Sequence, residues 1–358
     1  MSERILFFTQ AYNAEKTITQ TIESVLNQTH KNLTYLIHDN GSADTTGIIV
    51  DDWARRDARI IPYHTKENHF GFSPIIWNKI IDKRHGAKYY AHIDADDTYD
   101  LDFAEKMIAF INLHNLDCAA CGTRLVELPS GKLMRKRVLE KDFIIEHNRL
   151  CDDFLIYRRF FIEVWGKVYA MDLFREGSGR IDWDVVARSQ LTDFAFTLLL
   201  LQCARRAGVL SQCLHTYNQR TDSACRNDFT GIDAHLTYWL SVIRNYLLAL
   251  GPISKINQDY LHAIYLGQLS DTFDLIYRTT APTTDKFQWI LNILQLQDTQ
   301  DMLRCRPDPQ FRNLAERKSF LHGVKDWLVT QGDIQEESLL KKEILILLDC
   351  CIKIQTSL

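Results

Sequence analysis

The stretch Tyr89-Tyr90-Ala91-His92-Ile93-Asp94-Ala95-Asp96-Asp97 is an apolar run that ends in three carboxylates within four positions. It reads as a strand, Tyr89 to Ile93, that delivers acids at its carboxyl end. Oxygen ligands and net negative charge are what a hard divalent cation such as Mg²⁺ or Mn²⁺ requires, and phosphate is the usual partner of such a cation. Asp is also a common turn residue, so the stretch takes its meaning from what surrounds it.

Upstream, short apolar runs alternate with helical periodicity, the pattern of an α/β domain with a largely parallel sheet. Strands are expected at Ile5 to Gln10, Thr34 to His38 and Arg59 to His64. Helices are expected at about Glu15 to Gln28, with Ile18, Ile22, Val25 and Leu26 on one face, at Thr45 to Ala54 and at Pro74 to Lys83. Polar residues follow each strand, and ligands bind at that end of open α/β sheets. From Cys118 to about Asn227 the pattern is less regular. Strand-like pieces fall at Cys118 to Leu128 and Gly208 to Tyr217, helical ones at Phe160 to Phe174 and Asp184 to Arg206. After Asp228, three-to-four spacing of Leu, Ile, Phe and Trp marks helices at Ile232 to Leu250, Lys255 to Arg278, Lys286 to Arg304, Phe311 to Thr330 and Glu336 to Ile354. The expected organisation is an α/β domain over 1–228 and a C-terminal helical bundle over 229–358, serving dimerisation or acceptor binding.

Composition narrows the function. A formal charge of -4 gives no field to gather nucleic acid, and no Lys/Arg block stands out. Ile5 to Phe8 is too short for a signal peptide, and Phe194 to Leu201 is far below spanning length, so no transmembrane segment and a cytoplasmic location are expected. The nine cysteines, an odd count, fit reduced thiols better than a disulfide framework. Cys118 and Cys121 have the spacing of half a zinc site, but no second pair lies nearby, and they read as buried strand residues. No Gly-rich fingerprint follows the first strand and no Gly-Lys-Ser/Thr phosphate loop occurs, which disfavours nicotinamide enzymes and nucleotide triphosphatases. A carboxylate at the end of the second strand, Asp39, can accept from a base imide or a ribose hydroxyl, and Gly41 permits a tight turn. Ser42 and Asp44 read as caps of the next helix.

Taken in order, these segments resemble the nucleotide-sugar half of the family 2 glycosyltransferases. The similar pieces are Thr9 through Glu15, Ser24-Val25-Leu26-Asn27-Gln28-Thr29, Asp39 through Asp44, Asn68 with Gly71, Asn78 preceded by Trp77 where Arg is common, and Asp94-Ala95-Asp96-Asp97. The resemblance is dense to Met107 and thinner to about residue 225. It implies an α/β GT-A fold, a Rossmann-like nucleotide-binding mixed sheet flanked by helices, followed by the C-terminal all-helical region. It also implies an inverting, metal-assisted transfer from a nucleoside-diphosphate sugar, uridine-linked, to a glycan, lipid-linked or polypeptide acceptor.

Carried over by position, the resemblance gives Asp94 and Asp96 to the Mn²⁺ or Mg²⁺ ion, with Asp97 supporting them. It gives Thr9, Ala11, Tyr12, Asn13, Asp39, Asn68, Asn78, Asp94, Lys167 and Arg220 to the donor. Within that set, Asp39 reads the base, Thr9 and Tyr12 line the nucleoside, and Lys167 and Arg220 meet the diphosphate. Asp193, in Leu191-Thr192-Asp193-Phe194, stands where the family has its general base, with Thr192 in place of a common Glu, and Asp182 and Asp184 are its rivals. His215 is a candidate for the metal shell, although a lone His is more often structural. The competing function is a catalytically silent nucleotide-sugar-binding scaffold acting through its helices. A homodimer through the C-terminal helices is a further expectation.

Overall fold

The computed structural model describes residues 2–69, 74–178, 192–219, 232–305, 313–331 and 337–357. It divides into two units, Met1–Asn227 and Asp228–Leu358.

In the first unit β1 (Ile5–Ala11) is apolar and buried on both faces, as parallel strands covered by helices are. It is followed by α1 (Ile18–Leu26), which buries Ile18, Thr21, Ile22, Val25 and Leu26, the inward stripe of an amphipathic helix. Then come β2 (Leu33–Asn40), α2 (Thr46–Arg56), β3 (Ile60–Thr65), α3 (Pro74–Ile80), β4 (Tyr89–His92), β5 (Thr98–Tyr99), α4 (Phe103–His114) and β6 (Cys118–Glu127). β7 (Lys132–Arg137), β8 (Phe143–Glu146), α5 (Phe154–Tyr157), β9 (Lys167–Ala170), α6 (Met171–Ser178), α7 (Thr192–Cys203) and β10 (Arg206–Gln219) complete it.

The strands form one mixed sheet in the order β3-β2-β1-β4-β9-β6-β10-β5, with β7 beside β6 and β8 beside β10. β1 pairs parallel with β2 on one side and β4 on the other. The chain runs outward from β1 to β3 and returns to β4, so the switch in direction falls between β1 and β4, and the carboxyl ends of strands at such a point are where open α/β sheets bind ligands. β9 then runs antiparallel between β4 and β6. One core lies between the sheet and α1 and α4, built on Phe7, Ile22, Tyr35, Phe103 and Met107, with Tyr99 stacked on Phe103 at 3.7 Å. Gln28 locks α1 to α4 from within: its Nε2 donates to the carbonyl of Asp100 and its Oε1 accepts from the amide of Ala104.

Two expectations fail here. The segment Phe160 to Phe174 is not helical throughout. Its centre is β9, whose Val168 and Tyr169 are buried between neighbours and whose ladder bonds go to β4 and β6. Helix α7 stops at Cys203, and Arg206 already opens β10. Cys118 and Cys121 do lie buried on β6, where burial pushes both thiols up.

The second unit is helical throughout its described residues: α8 (Ile232–Leu250), α9 (Lys255–Arg278), α10 (Thr283–Gln295), α11 (Gln297–Arg304), α12 (Asn313–Thr330) and α13 (Glu337–Ser357). Leu247, Leu261, Leu269, Ile290 and Leu348 are fully buried. Ser254 caps α9 by accepting from the amide of Asn257. The single helix expected over Lys286 to Arg304 is two, because Leu296 takes an extended ψ of 137° between them. Among the described residues no helix is long and apolar enough to cross a membrane.

Candidate active site

The switch-point rim is built from three loops. The loops after β1 and β2 are stitched together: Ala43 donates its amide to Asn13 Oδ1 at 2.8 Å, Asn13 donates its own to Ser42 Oγ, and Thr45 donates both amide and hydroxyl to Glu15. Asp44 is not the N-cap of α2, a position that Thr45 takes without a side-chain cap bond; it accepts from the amides of Thr46 and Glu15 and so ties the two loops together. Ser42 does not cap that helix; it serves Asn13. Gly41, at φ 74°, passes so close to the backbone of Glu67 and Asn68 that a Cβ would lie 2.7 Å from the nearest carbon. The third loop is thereby held against the second, and Asn68 accepts from Asn40.

Asp39 lies at the end of β2, paired in register with Ala11 on β1. It is nearly buried. Its Oδ1 accepts from the amide of Ser42, and its Oδ2 is 3.2 Å from Nδ1 of His64 on β3. His64 reaches Asp51 with its other nitrogen at 3.0 Å. Burial works to lower this imidazole, but the bonds to both carboxylates raise it above its ordinary value. Gly47 makes room for the arrangement, since a Cβ there would stand 2.6 Å from Asp39 Oδ2.

Beyond β4, His92 sets the geometry of the acids. Tyr90 Oη is 3.3 Å from His92 Nδ1, and His92 Nε2 is 3.1 Å from Asp94 Oδ1. Asp94 is 39% exposed at its side chain and Asp96 is half-buried. Asp97 is wholly buried and 3.1 Å from Nε2 of His215, which is also wholly buried and stacked on Trp165. Burial first, then the charges of Asp94 and Asp96, drive the Asp97 carboxyl far up, while burial drives His215 down, so each favours its neutral form. His215 thus faces Asp97 inside the core and not an open coordination shell. Asn218 on β10 closes the far side, donating its amide to Asp97 Oδ1 and its side chain to the carbonyl of Asp96.

Asp193 stands in the first turn of α7, which is anchored by Phe194, Phe196 and Leu198 in the core. Phe196 meets Trp77, itself stacked on Phe174 at 4.9 Å. The charges of Asp193 and Asp94 both act on the buried Tyr90 hydroxyl, which burial chiefly raises.

Other expected donor residues are placed as follows. Tyr12 is 49% exposed on the rim, and Asn78 is exposed on α3. Ala11 is buried at the end of β1. Thr9 does not line an open pocket: it is fully buried, with its hydroxyl between Tyr35 Oη and the carbonyl of Ile93, both at 2.8 Å. Lys167 does not face the rim either. Its Nζ donates to the Trp165 carbonyl at 2.8 Å, it is 1% exposed, and burial pulls it down to about 7. Asp182, Asp184 and Arg220 lie outside the described residues. His64, His92 and Asn218 were missed in the sequence. The signal for His64 is its register opposite Asp39, legible only once both strands are aligned from their starts.

Asp94 and Asp96 fit a hard divalent cation: they offer oxygen alone, and their charges already act together on Asp97. A second group of ligand types, Asp259, His262 and Cys305, has its ligand atoms within 4.8 Å of one another. There Lys255 Nζ lies 2.7 Å from both oxygens of Asp259 and already supplies a cation. A cavity of about 340 Å³ lined by Lys88, Asn112, Asp117 and Arg205 sits at the opposite ends of the strands, where Asp117 and Arg205 neutralise each other.

The switch point thus carries one acid behind β2 and three behind β4, at the strand ends where open α/β sheets bind their ligands. Residues 7–178, a little under half of the chain, match the family model for glycosyl transferase family 2. The chain is similar to the uncharacterized glycosyltransferase EpsJ of Bacillus subtilis (strain 168), 26% identical over 232 residues that cover 63% of this chain and 64% of that protein. It is also similar to the putative teichuronic acid biosynthesis glycosyltransferase TuaG of the same strain, 33% identical over 103 residues covering 29% and 40%. The chain thus spans less than two thirds of the length of these relatives. Among solved structures, S. aureus TarS 1–349 in complex with UDP-GlcNAc shares the fold at a TM-score of 0.62 and 16% identity, covering 99% of this chain and 91% of that one.

Proposed function

We propose that this chain is an inverting glycosyltransferase that moves a sugar from a uridine-diphosphate sugar to an acceptor hydroxyl. The observation that carries this reading is the set of carboxylates gathered at the carboxyl ends of adjacent parallel strands, Asp39 at the end of β2 and Asp94 and Asp96 following β4, with β1 between them. Asp39, held by Ser42 and His64, keeps acceptor capacity for the imide N–H of uracil, and Tyr12 offers a ring against the base. The TarS complex with UDP-GlcNAc, on the same fold, supports the uridine assignment.

Asp94 and Asp96 are the residues that would hold a divalent cation, which would neutralise the charge of the diphosphate. Asp193 takes the proton of the acceptor hydroxyl as its oxygen attacks the anomeric carbon. The bond from that carbon to the phosphate oxygen breaks on the opposite face, and the nucleoside diphosphate leaves with the electron pair. The helical unit is assigned to acceptor docking or self-association.

Asp193→Asn provides the test. Donor affinity is expected to stay at the wild-type value while transfer falls by about 10² to 10⁴. Transfer at the normal rate would remove Asp193 as the base, and loss of donor binding would place it in the nucleotide pocket instead.

A further inference from the structure

On the same edge of the sheet as the acidic rim, β6 and β7 form an exposed hairpin. β7 reads Lys132-Leu133-Met134-Arg135-Lys136-Arg137, and its first five residues are exposed. Arg137 is engaged, 3.0 Å from Glu163 and over the Trp165 ring at 5.0 Å. Among the described residues, the side chains of Lys132, Arg135 and Lys136 make no ion pair or hydrogen bond. Between them Leu133 is 47% and Met134 53% exposed.

Lysines on an edge strand commonly guard against pairing with another chain, and one such charge suffices for that. Here three unpartnered cations flank two adjacent apolar side chains. The register slips between Leu125 and Val126, so Met134 is an extra residue, and bulges of this kind re-aim side chains at sheet edges. A polyanion in water rewards the cations but not the Leu-Met pair. A bilayer surface bearing anionic lipids rewards both, through phosphates outside and hydrocarbon beneath.

Position gives the hairpin a purpose. Leu133 pairs with Val126, and Val126 with Asn218, the residue that holds Asp96 and Asp97. Two strand spacings put Leu133 about 10 Å from that anchor. We propose that the β6–β7 hairpin docks this unit on an anionic lipid surface, with Leu133 and Met134 in the headgroup region and Lys132, Arg135 and Lys136 on lipid phosphates. The transfer site then faces acceptors displayed at that surface. The last clause rests on the glycosyltransferase reading; the docking does not.

The test is sedimentation of the full chain with vesicles of phosphatidylcholine containing about one third phosphatidylserine, with pure phosphatidylcholine as control. Binding is expected only to the anionic vesicles and to weaken with salt. Each cation near such a surface is worth about fivefold in partitioning, so the triple variant Lys132→Ser, Arg135→Ser, Lys136→Ser should lose about a hundredfold. Leu133→Ser with Met134→Ser should lose about tenfold, and Arg135→Lys should retain binding. The thermal unfolding midpoint should be unchanged in all of them, which confirms folding without appeal to turnover and separates this result from the fate of the transferase reading. Equal binding to neutral vesicles, no binding, or wild-type binding by the triple variant would overturn the proposal. So would affinity for soluble polyphosphate that the Leu133/Met134 variant keeps in full, which would make the partner an anionic polymer.

Discussion

Asp94 is aimed by a relay that begins in the core. If the Tyr90 hydroxyl donates to His92 Nδ1, the imidazole must carry its proton on Nε2 and donate it to Asp94 Oδ1, so one buried tyrosine fixes both tautomer and carboxylate. Replacing His92 by Phe keeps a ring against Phe8, now 5.4 Å from the imidazole, but removes that donor. His92→Phe is therefore expected to weaken cation activation by about 10- to 100-fold, read as the Mn²⁺ concentration giving half-maximal turnover, with donor affinity in the absence of cation unchanged. An unaltered Mn²⁺ midpoint would reduce His92 to packing. The acids themselves were legible because a run of carboxylates after an apolar strand has few uses. Thr9 and Lys167 were misjudged for one physical reason: the partners that consume them are backbone carbonyls at Ile93 and Trp165, and a carbonyl leaves no mark in a sequence.

At the scale of elements, the paired strands β2 and β3 each carry a histidine, and the two respond to pH in opposite senses. His38 packs against Tyr63 and Thr65 and faces the charges of Asp39, His64 and His69. Burial dominates and lowers it from 6.5 to about 4. The unfolded chain binds this proton more readily, so His38 costs nothing above about pH 6.5 and progressively destabilises the fold as pH falls toward about 4, by up to about 3 kcal/mol. His64, raised by its two carboxylates, contributes in the other sense: its share is complete below its ordinary value and fades as pH rises through the elevated one. Denaturant unfolding at about pH 7 and about pH 5 should show wild type losing stability on acidification and His38→Gln losing distinctly less. An identical fall in both would place the acid sensitivity elsewhere. β1, β2 and β4 could be read in advance because parallel strands covered on both faces are nearly continuous apolar runs. β9 could not, because Phe160, Phe161, Val164 and Val168 also fit a helical face; what makes it a strand is the pair of open edges offered by β4 and β6. The break at Leu296 was hidden likewise, in a stretch where leucines continue the helical spacing across it.

At the scale of the molecule, Asp94 and Asp96 sit outside the apolar core that holds the sheet together. Phe7, Tyr99 and Phe103 close that core beneath them, and Asp97 faces His215 within it. The proposed ion should therefore be needed for turnover and not for folding, unlike a structural zinc site, where metal affinity is folding energy. Stripping divalent ions with a chelator is expected to abolish sugar transfer while leaving the thermal midpoint almost unmoved. Adding Mn²⁺ and UDP together should then raise the midpoint more than the sum of each alone, because the diphosphate completes the shell that Asp94 and Asp96 begin, and a ligand at about 100 times its Kd adds about 2.7 kcal/mol. Strictly additive shifts would mean that cation and nucleotide occupy separate places. A collapse of the midpoint under chelator would move the metal from the rim into the framework of the fold.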